Sequence, residues 1–293
     1  MSPESTLFPV ENYDLSSTLA SGQAFRWRRV NDGWEGVVRD RWVRLTNAGA
    51  GISATIMAAT DSGQSSWENL KHYLQLNADL DQIVATFPDD EPIRKAVQAA
   101  PGLRLLRQDP WECLASFILS STKQIVQIQQ IVAALCLRFG TPVAVPPGHA
   151  PHFAFPSAAQ LAVCSETDLR ECKMGFRAPY LLETARLVAG ANPSLDSLYS
   201  LPVDAARLEL MKFPGVGRKI ADCVLLFAYG FQEAFPVDVW VIKALRDLYF
   251  RGRKVPLPRL QKFSRTHFGP NAGYAQQYLF HYMRTKKQKG DTP

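Results

Sequence analysis

Between Gln23 and about Thr60 apolar and polar residues alternate in short runs, AFRWRRV, GWEGVVRD, RWVRLTN and GISATIMAA, punctuated by Asn31-Asp32-Gly33 and Asn47-Ala48-Gly49. Alternation with a period of two gives a strand one apolar and one polar face, and Asn/Asp-Gly pairs close hairpins. This segment predicts an antiparallel meander. Beyond Ser65 the period lengthens: SSWENLKHYLQL opens on a serine cap and sets Trp67, Leu70, Tyr73 and Leu74 on one face of a helix. From there to the end the chain reads as helices.

The stretch Pro142 to Pro156 (PVAVPPGHAPHFAFP) is too rich in proline for a helix and predicts a surface connection between two helical subdomains. Ser157 to Ala189 predicts two helices broken at Gly175-Phe176-Arg177-Ala178-Pro179. Val203 to Met211 and Lys219 to Tyr229 predict two helices joined by the turn KFPGVGR, a helix-hairpin-helix spanning about 203–230. Another helix follows Pro236-Val237-Asp238, with two more before the tail RTKKQKG. The expected class is α+β and mostly α. An N-terminal antiparallel sheet domain with helices covers 1–100, and a helical domain of two subdomains covers 101–293.

The chain has 293 residues, 46% hydrophobic and 20% charged, the balance of a soluble globular protein with room for two or three modest cores. No apolar run approaches the roughly 20 residues that span a bilayer, and MSPESTLFPVENYD has neither a basic nor an apolar leader region. These features predict a cytoplasmic protein. Five cysteines, Cys113, Cys136, Cys164, Cys172 and Cys223, are odd in number and set mostly among apolar neighbours, as free thiols in a reducing compartment are. None lies beyond Cys223, which excludes a C-terminal four-cysteine iron–sulfur loop. The net charge of +6 suits a polyanionic partner.

The turn Lys212-Phe-Pro-Gly-Val-Gly-Arg-Lys219 is chemically odd. A helix N-terminus carries partial positive charge, yet Arg218 and Lys219 open this helix. Gly215 and Gly217 allow backbone N–H groups to face one side, which makes a site for an anion such as a DNA phosphate; an ordinary bend between helices would use the same glycines. Lys219, beside Arg218 and at the positive end of the dipole, is expected to have a lowered pKa, the property of a Schiff-base nucleophile. Asp238, nineteen positions later, is placed to cap the next helix, and a capping carboxylate near such a lysine could also stabilise a developing oxocarbenium ion.

With these residues, FPGVGRKIADCVLLFAYGFQEAFPVDVWV resembles the helix-hairpin-helix DNA glycosylases, and among them the 8-oxoguanine glycosylases of eukaryotic type. SGQAFRWR (Ser21 to Arg28), LRLLRQDPWECLASFILSS (Leu103 to Ser121), GFRAPY (Gly175 to Tyr180) and AGYAQQYLF (Ala272 to Phe280) resemble the same family, so the likeness runs along nearly the whole chain. The resemblance implies that Lys219 attacks C1′ of a flipped nucleotide and that Asp238 stabilises the transition state. It implies that the Gly22 carbonyl accepts the N7–H that 8-oxoguanine has and guanine lacks, a mismatch of about 1 to 3 kcal/mol for guanine. It further implies that Gln276 reads the Watson–Crick edge, that Cys223 and Phe280 sandwich the base, and that Phe176 wedges the duplex while Arg177 contacts the opposite base. Without the resemblance, Cys223 and Phe280 would read as core and Gln276 as a surface amide.

Two positions depart from the family. Thr122-Lys123-Gln124 stands where consecutive asparagines are usual, and Trp240 stands where the eukaryotic enzymes carry a phosphate-touching histidine. Thr122 and Lys123 therefore predict weaker reading of the opposite cytosine. The resemblance implies a bifunctional glycosylase and β-lyase, monomeric, acting on double-stranded DNA with 8-oxoguanine or abasic sites, at the nucleoid of a bacterium or in a eukaryotic nucleus. It implies no redox or organic cofactor, though hairpin carbonyls could hold a structural cation. The alternatives are an alkylated-base glycosylase of the same superfamily, which would not need Lys219, and a non-catalytic helix-hairpin-helix binding module.

Overall fold

The computed structural model describes residues 2–57, 63–120, 124–191 and 193–290, with side chains except those of 63–65 and 287–290. Its N-terminal part is one antiparallel sheet of β1 (Pro3–Pro9), β2 (Arg28–Val30), β3 (Gly33–Val38), β4 (Arg41–Ala48) and β5 (Gly51–Met57), with helix α1 (Leu15–Ala20) between the first two strands. The spatial order is β1-β5-β4-β3-β2, so β2 to β5 form the expected meander. Strand β1 is absent from the pattern read in the sequence. It pairs with β5 from Pro3 opposite Met57 to Pro9 opposite Gly51, and of its side chains only Phe8 is buried while Leu7 faces solvent. An edge strand held by backbone pairing and one anchor has no alternation to read.

Helix α2 (Gly63–Leu74) lays Leu70 and Leu74, with the half-buried Trp67 and Tyr73, against Val43, Leu45, Ile52, Ala54 and Ile56 of the sheet. Trp27 packs here as well. The Gly36 backbone lies so close to its ring that a Cβ would stand 2.8 Å away, and the indole N–H donates to the Tyr73 hydroxyl at 2.8 Å.

A second and larger core contains everything else. It takes in Leu80 and Ile83 of α3 (Leu80–Ala85) and Ile93 and Ala96 of α4 (Glu91–Ala99), so these helices pack away from the sheet although they precede residue 100. At its centre is α5 (Pro110–Leu119), capped by Asp109, which accepts from Glu112 N–H at 3.0 Å, and buried from Cys113 to Leu119. Helix α6 (Ile125–Phe139) follows. The proline-rich stretch is more than a connection: it contains a small hairpin, β6 (Pro142–Val143) paired with β7 (His152–Phe153). Arg26 donates to the Phe153 carbonyl and Trp111 to the Pro156 carbonyl, which pins the hairpin to the body. Arg26, bridged to Glu112 at 3.3 Å, is thus part of the scaffold.

From Ser157 to Ala189 there are more breaks than the two helices expected. Ser157 and Ser165 each form a capping box and start α7 (Ala158–Ala162) and α8 (Glu166–Leu169); a wide turn and a tight turn then lead to α9 (Ala178–Ala189). A short polar cap restarts a helix more cheaply than the apolar period alone suggests. The hairpin helices are α10 (Val203–Leu210) and α11 (Arg218–Val224), the latter prolonged by a wide turn to Tyr229 that closes at Gly230 in the left-handed region. Then come α12 (Val239–Tyr249), α13 (Leu257–His267) and α14 (Ala272–Gly290).

The two hairpin helices are tied by a buried ion pair, Arg207 Nε donating to Asp222 Oδ1 at 2.5 Å, with both side chains almost inaccessible. Arg218 approaches the other carboxylate oxygen at 3.7 Å. Arg207 also donates to Asp204 through Nη1, so losing Asp222 leaves the guanidinium one carboxylate and costs less than a fully stranded charge. Asp222→Ala is therefore expected to lose about 1–3 kcal/mol in chemical denaturation, and native-like unfolding would show that the pair does not hold the hairpin.

Candidate active site

Lys219 sits in the first turn of α11, behind Gly217, whose lack of a side chain leaves the helix without a side-chain cap. The ammonium lies 5.5 Å from the centroid of Phe117 and donates to Ser120 Oγ at 3.2 Å. The Ser120 hydroxyl in turn donates to the Phe117 carbonyl at 2.7 Å. Phe117 is itself fixed, stacked on Phe227 with centroids 5.6 Å apart and edge-on to Phe25. The lysine thus stands on an aromatic floor with its head held by the end of α5.

Asp238 caps α12 as the sequence predicts, accepting from Val241 N–H at 2.8 Å. Burial raises its pKa, against the pull of that N–H and then of Lys219. Cys223, one turn beyond Lys219, is pushed up to about 12, mainly by burial, with Asp238 and Asp222 adding to the rise and Lys219 opposing it. Its thiol is neutral at physiological pH and is not a nucleophile. The mutual electrostatic influence places Lys219, Cys223 and Asp238 in one neighbourhood, as a hairpin, a helix and a capped helix return would require.

A second wall is built from Gly22 and α14. Gly22 has φ 79°, and a Cβ there would stand 2.5 Å from Ile125 Cδ1. Its neighbours are held on every side. Gln23, fully buried, donates to the carbonyls of Thr18 at 3.0 Å and Arg104 at 2.8 Å, accepts from Leu106 N–H at 2.7 Å, and receives Gln108 on its own carbonyl at 2.6 Å. From α14, Gln277 donates to the Ser21 carbonyl at 3.2 Å and Arg284 to the Ala20 carbonyl at 2.7 Å. Gln276 is buried and its Oε1 has no partner among the described residues; Phe280 is half-buried one turn further on. Phe117, Ser120, Gln23, Gln277 and Arg284 are site residues missed in the sequence; Arg284 was within reach, because Gln276, Phe280 and Arg284 repeat every fourth position on one helix face.

Phe176 projects into solvent from a turn in which Lys173 and Gly175 both have positive φ, while Arg177 is buried with its guanidinium 4.3 Å from the Phe176 ring centroid. Thr122 and Lys123 lie outside the described residues. On the hairpin, Gly215 has φ 75° and its backbone abuts Tyr180, Gly217 is open, and Arg218 is partly exposed but leans toward Asp222. Among the described residues no group of His, Cys, Asp and Glu could hold a metal. A cation at the hairpin turn would have only carbonyl oxygens, and that of Phe213 already accepts from Val216 N–H at 3.1 Å. No helix among the described residues is long and apolar enough to cross a membrane.

A lysine-bearing hairpin, a capping aspartate and a glycine turn packed on the last helix have the architecture of a helix-hairpin-helix DNA glycosylase. Residues 5–114 match the family model for the 8-oxoguanine DNA glycosylase N-terminal domain, and 115–265 that of the HhH-GPD superfamily base excision DNA repair proteins. The N-glycosylase/DNA lyase OGG1 of Arabidopsis thaliana is 31% identical, over 91% of this chain and 76% of its own length. The N-glycosylase/DNA lyase of Saccharomyces cerevisiae is 36% identical, over 66% of this chain and 54% of the yeast protein. The 8-oxoguanine glycosylase/lyase of Clostridium acetobutylicum, solved with double-stranded DNA containing cytosine opposite 8-oxoguanine, superposes with a TM-score of 0.88 at 34% identity, covering 95% of this chain and 94% of that one. The chain belongs to the 8-oxoguanine DNA glycosylase/lyase family within this superfamily.

Asp238 also yields a sign. A carboxyl whose pKa is raised on folding contributes its full stability below the unfolded-state pKa and loses part of it as pH rises through the folded value. Asn caps a helix as well as Asp. Asp238→Asn is expected to melt higher than the native protein at neutral pH, with the gap closing in acid. A lower melting temperature at neutral pH would show that the carboxylate is stabilising.

Proposed function

We propose that Lys219 and Asp238 carry out the excision of 8-oxoguanine from duplex DNA and the cleavage of the resulting abasic strand. The observation that carries this reading is the Lys219 ammonium on Phe117 and Ser120, within the electrostatic field of the Asp238 cap. The damaged nucleotide leaves the stack, since C1′ cannot be reached inside it. Lys219, as free amine, attacks C1′; the electrons of the C1′–N9 bond pass to the purine, and Asp238 stabilises positive charge on the sugar. A proton passes from the lysine nitrogen to the sugar O4′ as the C1′–O4′ bond breaks, giving the Schiff base, and the released purine anion takes a C2′ proton as the C3′–O bond breaks and the 3′ phosphate leaves.

In this reading the flipped base lies between Cys223 and Phe280. The neutral thiol suits a stacking face. The Gly22 carbonyl accepts N7–H, and the orphaned Gln276 Oε1 accepts from the Watson–Crick edge. Phe176, exposed at a strained turn, fills the helix that the base has left, with Arg177 beside it for the opposite base. The short hydroxyl of Thr122 and the charge of Lys123 read that base less selectively than asparagine amides would. The hairpin glycines and Arg218 take a phosphate. The protein works where DNA is, at a nucleoid or in a nucleus.

Borohydride reduction tests the nucleophile. Native protein is expected to form a covalent adduct with an 8-oxoguanine duplex, and Lys219→Gln to bind that duplex without releasing base or being trapped; trapping of the variant would move the nucleophile elsewhere. For the pocket, Gly22→Ala introduces a Cβ against Ile125 at a positive-φ position. Excision of 8-oxoguanine should fall far more than cleavage of a preformed abasic site, which presents no base; equal losses would assign Gly22 to the fold alone.

A further inference from the structure

At the end of α5 away from Lys219, a cleft of about 1070 Å³ opens between the two cores. Helix α5 is about 15 Å long, with Ser120 at one end and the segment Arg107-Gln108-Asp109 leading into the other. Arg107 N–H donates to the Tyr73 carbonyl at 2.9 Å and Gln108 N–H to the Phe227 carbonyl at 2.8 Å, which suspends this segment between α2 and the wide turn that prolongs α11. The Arg107 side chain lines the cleft, together with Asn69 and His72 of α2 and with Tyr199, Tyr229 and Gln232 of the larger core.

Arg107 Nη1 reaches the Leu226 carbonyl at 3.4 Å, and the guanidinium lies on Gly230, where any side chain would overlap it. Its Nη2 and Nε have no hydrogen-bond partner among the described residues, and neither is sealed from solvent. Burial lowers its hold on the proton and no carboxylate opposes this. The carboxylates lining the cleft and its narrow inner pocket are engaged elsewhere: Glu68 by Lys71 at 2.7 Å, Asp79 by Gln82 N–H at 3.0 Å, Asp109 by Glu112 N–H at 3.0 Å and Glu112 by Arg26 at 3.3 Å. Burial, and then the charges of Arg107 and Arg39, lower the pKa of His72, so these two cations face the same space. Tyr199, 53% exposed, is held edge-on by Tyr229 with centroids 4.6 Å apart, and the Tyr229 hydroxyl is tied to the Leu195 carbonyl at 2.9 Å. An aromatic face is thus fixed and left bare near a guanidinium that lacks an anion.

We propose that this cleft binds a purine nucleoside monophosphate, with its phosphate on Arg107 and its base stacked on Tyr199. The free Nη2 and Nε form the side-on fork that takes two phosphate oxygens. A purine stacks on an aromatic ring through its π-face, and the amides of Asn69 and Gln232 offer a donor and an acceptor each for its edge. Phosphate alone would leave the ring unused, and a nucleoside would leave the guanidinium unmatched. A track for a nucleic-acid strand repeats its stacking rings, whereas this cleft presents one. The site shares no residue with that of Lys219.

Calorimetric titration of the full chain with adenosine monophosphate, adenosine and inorganic phosphate tests this, for native protein, Arg107→Met and Tyr199→Ala, with melting curves to confirm that each folds. Native protein is expected to bind the nucleotide about tenfold or more tightly than either fragment, and each substitution to weaken it about tenfold or more. Should the Arg107 variant not fold, Tyr199→Ala, on an exposed ring, carries the test. Phosphate bound as tightly as the nucleotide would reduce the cleft to an anion hole, and adenosine bound as tightly would remove Arg107 from it. Nucleotide binding that survives both substitutions lies elsewhere. Each of these results overturns the proposal, as does no binding at millimolar nucleotide. A single-stranded oligoadenylate that binds more tightly through the same two residues would make the cleft a strand track and overturn the assignment to one nucleotide.

Discussion

The buried amide of Gln23 is the constraint on which the pocket depends. Its donors reach the carbonyls of Thr18 and Arg104, its oxygen takes Leu106 N–H, and its own carbonyl takes Gln108. These bonds join the sheet's connecting loop to the segment that leads into α5. The smaller core and the larger one meet along this segment, with Leu106 in the first and Leu103 and Leu105 in the second. A buried primary amide is costly unless both its ends are satisfied, and here both are, so few alternative placements of the loop compete. Gly22 is consequently fixed relative to α5, and α5 carries the Ser120 that holds Lys219.

Charge is handled differently in the two halves of the site. At the hairpin the buried Asp222 is matched by Arg207 and approached by Arg218, and this network ties the two helices together. Among the described residues Lys219 has no carboxylate in ion-pair contact; its partners are a hydroxyl and an aromatic face. Asp238 is held by its own helix, through the Val241 N–H.

Much of this was legible because the chemistry-bearing residues sit at chain punctuation. Lys219 follows a two-glycine turn and Asp238 follows Pro236, and each declares itself through local rules of turns and caps; Gly22 was read only through the family resemblance of SGQAFRWR. The meander from Gln23 and the helical character beyond Ser65 were likewise set by period. What escaped lies in long-range packing. Edge strand β1 has one buried anchor, α3 and α4 turn their apolar faces away from the sheet they follow, and the β6–β7 hairpin depends on Arg26 and Trp111 from distant segments. Ser120, Gln23 and Gln277 looked like ordinary polar residues because their roles come from partners roughly eighty to two hundred and fifty positions away in the chain.

Chemistry and recognition thus have separate supports. Lys219 and Asp238 are placed by the hairpin, the Arg207–Asp222 pair and α12; the Gly22 turn is placed by Gln23, Gln277 and Arg284, which act on the three residues from Ala20 to Gly22. The two sets meet at α5, through Ser120 and Phe117, and share no side chain. Coupling between substitutions fades when sites share no partner, so changes on α14 can shift the Gly22 turn while the lysine keeps its position.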